Sequence, residues 1–150
     1  MKAGNKKSEE ILNSHEFPYH EKPMKPGQEL EHEKLTDKII GCAIEVHKKL
    51  GPGFLESIYE NAFVVELQKK EIPYVKQKEV IVEYDGIEVG KHRLDIFVAD
   101  TIVVELKAVK NIEDIHFAIV RSYLKALGKE HGLIINFSKK VIEVKRVIHK

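Results

Sequence analysis

Residues 93–109 read RLDIFVADTIVVELKAV, and the way this stretch pairs with itself decides the fold. Ile, Val and Phe dominate it and Ala99-Asp100-Thr101 interrupts it, so it forms two strands joined by a turn. Three charged residues stand in otherwise apolar strand: Asp95 in the first arm, Glu105 and Lys107 in the second. Side chains alternate along a strand, so Glu105 and Lys107 share a face. Whether Asp95 joins them depends on register, because paired residue numbers in an antiparallel hairpin have a constant sum. A two-residue turn at 99–100 pairs Val98 with Thr101 and sets Asp95 against Val104, on the face opposite Glu105. A three-residue loop at 99–101 pairs Val98 with Ile102 and sets Asp95 across from Glu105. One residue of slip separates two acids apart from two acids together. Carboxylates placed opposite each other repel, and burying either without a partner is costly. A bound divalent cation removes both objections, and hard oxygen ligands suit Mg²⁺ or Mn²⁺.

Outward from the hairpin, residues 74–84 alternate as a strand, and Asp85-Gly86 is a hairpin turn. The returning strand runs from Ile87 to Val98, with Gly90 as a candidate bulge. Upstream, apolar positions recur at helical spacing from Leu35 to Leu50, and Gly51-Pro52-Gly53 stops that helix. A second helix runs from about Leu55 to Lys70. Leu55, Ile58, Ala62 and Val65 make one apolar row on it, and Tyr59, Phe63 and Leu67 the next. Downstream, residues 113–127 form a helix with Ile115, Ala118, Ile119, Tyr123, Leu124 and Leu127 apolar, closed by Gly128. Gly132–Phe137 and Val141–Ile148 supply two more strands. The order ααβββαββ describes an α/β domain with a mixed central sheet flanked by helices.

At 150 residues the chain is one domain with room for a real core. Residues 1–32 are polar and carry scattered Pro and Gly, which predicts a mobile tail with Ile11, Leu12, Phe17 and Tyr19 as its anchors; residues 33–150 are the domain. His15, His20 and His32 are irregularly spaced and lack neighbouring cysteines, which argues against a metal site there. No apolar run approaches the ~18 residues of a membrane span, and no apolar segment follows the basic start, so no secretory signal is expected. The single cysteine, Cys42, lies in an apolar periodic stretch, which fits a structural thiol and a reducing, cytoplasmic compartment. A net charge of +1 lacks the basic excess of a dedicated duplex-binding protein, although it leaves room for a local basic face.

Two motifs carry chemistry. Asp95 and Glu105-Leu106-Lys107 form D-x9-E-x-K across the hairpin, and Gly53 to Tyr59 spells G-x-x-E-x-x-Y. Together with VHKKLGPGF at 46–54, Gln77, VELKAV at 104–109 and GLIINF at 132–137, they resemble the GxxExxY family of the PD-(D/E)XK nuclease superfamily. The resemblance implies a restriction-endonuclease-like core and Mg²⁺-dependent hydrolysis of phosphodiesters in DNA or RNA. By that resemblance Asp95 and Glu105 hold Mg²⁺ (or Mn²⁺), with the Leu106 carbonyl as a third ligand, and Lys107 orients or activates the attacking water. Glu56 joins or orients the outer shell, although an acid in the first turn of a helix also simply favours its dipole. His47, in the V-H-x-x-L-G-P-G motif, is implied to lie near the site, with Tyr59 and Tyr123 as outer-shell or substrate contacts; all three equally suit core packing. Lys91, Arg93 and Lys110 are candidates for phosphate contact. One departure stands out: related nucleases often carry Q-x-x-x-Y on the helix after the Lys, and here the Gln position is Ile119, four residues before Tyr123. That departure and the near-neutral charge define the alternative, a weak or inactive nucleic-acid-binding or regulatory module on the same fold. The expected partner is nucleic acid and not a membrane; nothing in the sequence fixes the oligomeric state.

Overall fold

Val98 pairs with Ile102, Phe97 with Val103 and Ile96 with Val104 in the computed structural model, which describes residues 26–150. The loop therefore has three residues, and of the two registers open to the sequence it is the one that sets position 95 across from 105. Ala99 and Asp100 both adopt positive φ, 52° and 53°, and the Thr101 N–H donates to the Val98 carbonyl at 2.9 Å to close the turn.

Five strands form one sheet in chain order: β1 (Tyr74–Tyr84), β2 (Ile87–Val98), β3 (Ile102–Lys107), β4 (His131–Asn136) and β5 (Glu143–Ile148). Only β3 and β4 run parallel. Parallel neighbours need a crossover, and α3 (Asp114–Leu127) supplies it. Helices α1 (Pro26–Leu50) and α2 (Glu56–Lys69) cover one face of the sheet, and α3 covers the other. Two cores result. Ile96, Val98, Val104, Leu106, Ile135 and Phe137 pack under α1 and α2, while Leu94, Phe97, Val103 and Ile134 pack under α3. β3 is central and covered on both sides, so its apolar run is nearly continuous.

Four expectations need correction. Helix α1 begins at Pro26, not Leu35, inside the segment expected to be tail. Its first turns hold Pro26 at the opening position and Gly27, a poor helix former, before Gln28, Glu29 and Leu30, so neither propensity nor an apolar stripe reveals it. On α2 the row of Tyr59, Phe63 and Leu67 is fully buried, whereas Leu55, Ile58 and Val65 are 73, 40 and 47% exposed. A helix lying on a sheet buries one stripe, and two equally apolar rows do not say which one. On α3 the buried stripe is Phe117, Val120, Tyr123 and Leu124, and Ile115 and Ala118 face outward. The bulge expected at Gly90 falls beside it: Val82 pairs with Gly90 and Glu83 with Glu88, leaving Val89 as the extra residue. The remaining expected tail, with its anchors and with His15 and His20, lies outside the described residues. His32 packs its ring against His131, 3.7 Å between centroids. Among the described residues no helix is long and apolar enough to cross a membrane.

Helix α3 approaches β4 closely at Gly132. A Cβ there would meet Val120 Cγ1 at 2.7 Å and the Val103 carbonyl at 3.3 Å. Gly132→Ala is therefore expected to lower stability by about 1–3 kcal/mol, the usual cost of forcing an extra carbon into a packed interior. Chemical denaturation checks this, and an unchanged midpoint would mean that α3 sits farther from the sheet.

Candidate active site

The ladder between β2 and β3 stops at Ile96 and Val104, one step short of Asp95 and Glu105. There Asp95 takes over a backbone function: its Oδ2 accepts the Leu106 N–H at 2.9 Å. β2 also changes sides at this residue. Ile96 and Val98 lie in the core under α1 and α2, but Leu94 lies in the core under α3 and His92 meets the Tyr123 ring edge-on at 5.8 Å. Asp95 thus sits at a changeover, and its carboxylate reaches β3 through the gap that the changeover opens. Of the two registers the sequence left open, the three-residue loop brings the acids together, by a route that simple alternation does not show.

Glu105 is 6% exposed and its carboxyl shares a hydrogen bond with that of Asp95. Burial, then that hydrogen bond and the Asp95 charge, push Glu105 up from 4.5 to about 9; Lys107 and the Asp95 backbone N–H pull it partly back. The same cluster extends to Tyr123, pushed up to about 12 by burial, then by Glu105 and Asp95. Its hydroxyl donates to the Arg93 carbonyl at 3.1 Å, so Tyr123 borders the acids as a strap between α3 and β2. Lys107 is half-buried at the end of β3, and its carbonyl accepts the Phe137 N–H at 2.9 Å. Glu56, the first residue of α2, reaches the next peptide: its Oε2 accepts the Ala108 N–H at 3.1 Å. Asp95, Glu105, Lys107, Glu56 and Tyr123 are therefore gathered around the end of β3.

His47 and Tyr59 belong to a second group. His47 Nε2 lies 2.8 Å from the Lys139 carbonyl in the loop between β4 and β5. The Tyr59 hydroxyl donates to the Gly51 carbonyl at 2.6 Å and accepts the Phe54 N–H at 3.2 Å, while its ring stacks on Phe137 at 4.5 Å. These contacts fasten the Gly-Pro-Gly loop that leads into Glu56. Lys91 and Arg93 lie near Glu79, at 4.0 and 3.5 Å. Ile119 packs partly buried against the α3 core. Cys42 is buried, and burial pushes its thiol up.

Sequence reasoning did not single out Asn136. Fully buried at the end of β4, it receives the Val109 N–H on Oδ1 at 3.1 Å and donates Nδ2 to the Val109 carbonyl at 2.8 Å and to Glu143 at 3.1 Å. The available signal was a lone amide in an apolar strand, which must find partners when buried.

A family model of the PD-(D/E)XK nuclease superfamily matches residues 33–147. The chain belongs to this superfamily. The crystal structure of SSO0001 is similar in fold, with a TM-score of 0.52 at 15% identity. The match covers 81% of this chain and 62% of that one, so this chain spans less than two thirds of it. No curated protein matches in sequence. The α/β architecture of a restriction-endonuclease-like PD-(D/E)XK domain is thus present, with a mixed five-stranded sheet and helices on both faces. Among the described residues no three His, Cys, Asp or Glu side chains form a metal-holding group. Asp95 and Glu105 offer two adjoining carboxyls, and Mg²⁺ is commonly held by one or two carboxylates with water completing its shell. Two adjoining acids, one of them holding a proton up to about pH 9, are a donor set that a cation fits.

The raised Glu105 value fixes a pH dependence in metal-free buffer. Its folded value exceeds the ordinary 4.5, so its contribution to stability is complete below pH 4.5 and is lost as pH rises through about 9. The parent's stability should fall across that window by up to about 1.4 kcal/mol per pH unit for one linked proton. Glu105→Gln should flatten the profile. Melting curves from pH 5 to 9 in EDTA decide it, and parallel profiles would mean that Glu105 ionises there without cost.

Proposed function

We propose that this PD-(D/E)XK chain hydrolyses phosphodiester bonds of nucleic acid with the help of Mg²⁺ or Mn²⁺, held by Asp95 and Glu105. The observation that carries this is the hydrogen-bonded pair of carboxyls, Glu105 buried and Asp95 partly so, with Lys107 two residues beyond Glu105 on the same strand. A strand residue points its N–H and C=O to the same edge. The Leu106 N–H bonds Asp95, so the Leu106 carbonyl faces the same opening, which supports its use as a third oxygen.

When bound, the cation would supply a more acidic water and offset charge developing on the scissile phosphate. The chain's own residues do the rest. Lys107 shares the face of Glu105, and its ammonium would donate to the attacking water and hold it in line. Glu56 accepts the Ala108 N–H and so fixes the strand end on which Lys107 stands. Burial under α3 keeps bulk water from the inner carboxyl and strengthens each charge there.

Mg²⁺ or Mn²⁺ at ~10 Kd should raise stability by about 1.4 kcal/mol, because a ligand that binds only the folded chain stabilises it. Asp95→Ala and Glu105→Ala should remove that rise. Lys107→Ala should keep the rise and lower metal-dependent cleavage of mixed DNA and RNA by ~10²–10⁴, the usual loss for one positioned proton-transfer group. Thermal shifts and cleavage in the same buffer test all three. Acid variants that respond to metal like the parent would overturn the ligand assignment.

A further inference from the structure

Gln77 stands in the middle of β1 with φ of 54°, a left-handed conformation that a non-glycine residue adopts there only when its surroundings impose it. Its flanking pairs are Lys76 with Ile96 and Lys78 with Leu94, so Gln77 lies directly opposite Asp95, and these two positions interrupt the ladder between β1 and β2. β1 changes sides here as β2 does. Tyr74 bonds Gln68 and Lys76 bonds Asn61, both on α2, whereas Lys78 lies 6.0 Å over the Phe97 ring and Val80 joins the core under α3. Both strands therefore cross from one face to the other at a single pair, Gln77 and Asp95. The Gln77 side chain is held in turn: its Nε2 donates to both Glu60 oxygens, at 3.1 and 3.0 Å. Glu60 lies one helical turn beyond Glu56 on α2, which accepts the Ala108 N–H. One face of α2 thus grips the site from two sides, at the β3 end through Glu56 and at the crossing through Glu60.

We propose that Gln77, braced by Glu60, is a positioning residue that holds the crossing at which Asp95 is aimed at Leu106 and Glu105. A regular β-conformation at 77 would carry β1 straight on, keep its pairing with Asp95 in the ladder and turn the Asp95 side chain away from the gap. The inference rests on the nuclease reading for its effect on rate, but not for its effect on geometry.

The Leu106 amide reports that geometry without metal, since its acceptor is the Asp95 carboxylate. Amide exchange in the full chain is compared for the parent, Gln77→Gly, Glu60→Ala and the exchanged pair Gln77→Glu with Glu60→Gln. Glycine accepts positive φ without strain, so Gln77→Gly should melt no lower than the parent. It should nevertheless exchange Leu106 at least ~10-fold faster, with Val104, inside the intact ladder, unchanged. Glu60→Ala should do the same, and the exchanged pair, which restores an amide-to-carboxylate bond, should return Leu106 to parental protection. Mn²⁺-dependent cleavage should fall ~10-fold in Gln77→Gly and recover in the exchanged pair. A Leu106 amide as protected in the glycine variant as in the parent overturns the inference. So does a parental rate in a variant whose Leu106 has opened. A parent that neither cleaves nor binds Mn²⁺ overturns the proposed function instead, and the Leu106 comparison still decides the role of Gln77.

Discussion

The Asp95 carboxylate stands where a backbone acceptor would stand in an uninterrupted sheet. β2 cannot both continue beside β3 and pass under α3, so the two strands part after Ile96. Their parting leaves the Leu106 N–H of a buried central strand in need of an acceptor, and an unpaired buried donor costs about 1–3 kcal/mol. A carboxylate meets that need with a charge-assisted bond. The fold thereby calls for a side-chain acceptor at this gap, and the carboxyl that fills it also hydrogen-bonds the buried carboxyl of Glu105. One contact meets a requirement of the sheet and brings together the two acids of the proposed site.

The end of β3 is held residue by residue. Leu106 is bonded by Asp95, Lys107 by the Phe137 backbone, Ala108 by Glu56 and Val109 by Asn136. These partners come from β2, the residue after β4, α2 and β4, so the α2 layer and the strands on both sides of β3 meet at four consecutive peptides. Tyr59 and Phe137 stack beneath the arrangement and link its α2 side to its β4 side. A side chain on such a support keeps its direction with little freedom to lose when substrate arrives. That is why His47 and Tyr59, which touch none of the acids in these contacts, still bear on where Lys107 and Glu56 stand.

The element order and the ends of β1 and β2 were legible because turns and period-2 alternation are local signals. The acids were legible for a different reason: a charge in an apolar strand contradicts its surroundings and demands a partner. The hairpin register was not legible, since β3 is buried on both faces and either register keeps its apolar residues inside. The buried row of α2 could not be chosen from two apolar rows, and the polar start of α1 offered no stripe at all. Gln77 entered only as one mark of the family resemblance, and its pairing with Glu60 left no trace. Each is an ordinary polar residue in an exposed-looking pattern, and a bond across 17 positions of sequence has no local signature.

The ribbon beyond the crossing has a separate character. Residues 81–91 of β1, its turn and β2 are exposed throughout, and among the described residues their ladder partners belong to the ribbon itself. Residues added in matched pairs on the two strands would lengthen it without disturbing a single bond at Asp95. An unmatched residue already has a precedent in Val89, absorbed as a bulge well away from the acids. The molecule therefore divides into a half whose spacing is locked to the residue and a half free to vary in reach. A hairpin rooted beside the proposed site and free to change length is a place where related chains can acquire different contacts while the two acids stay where they are.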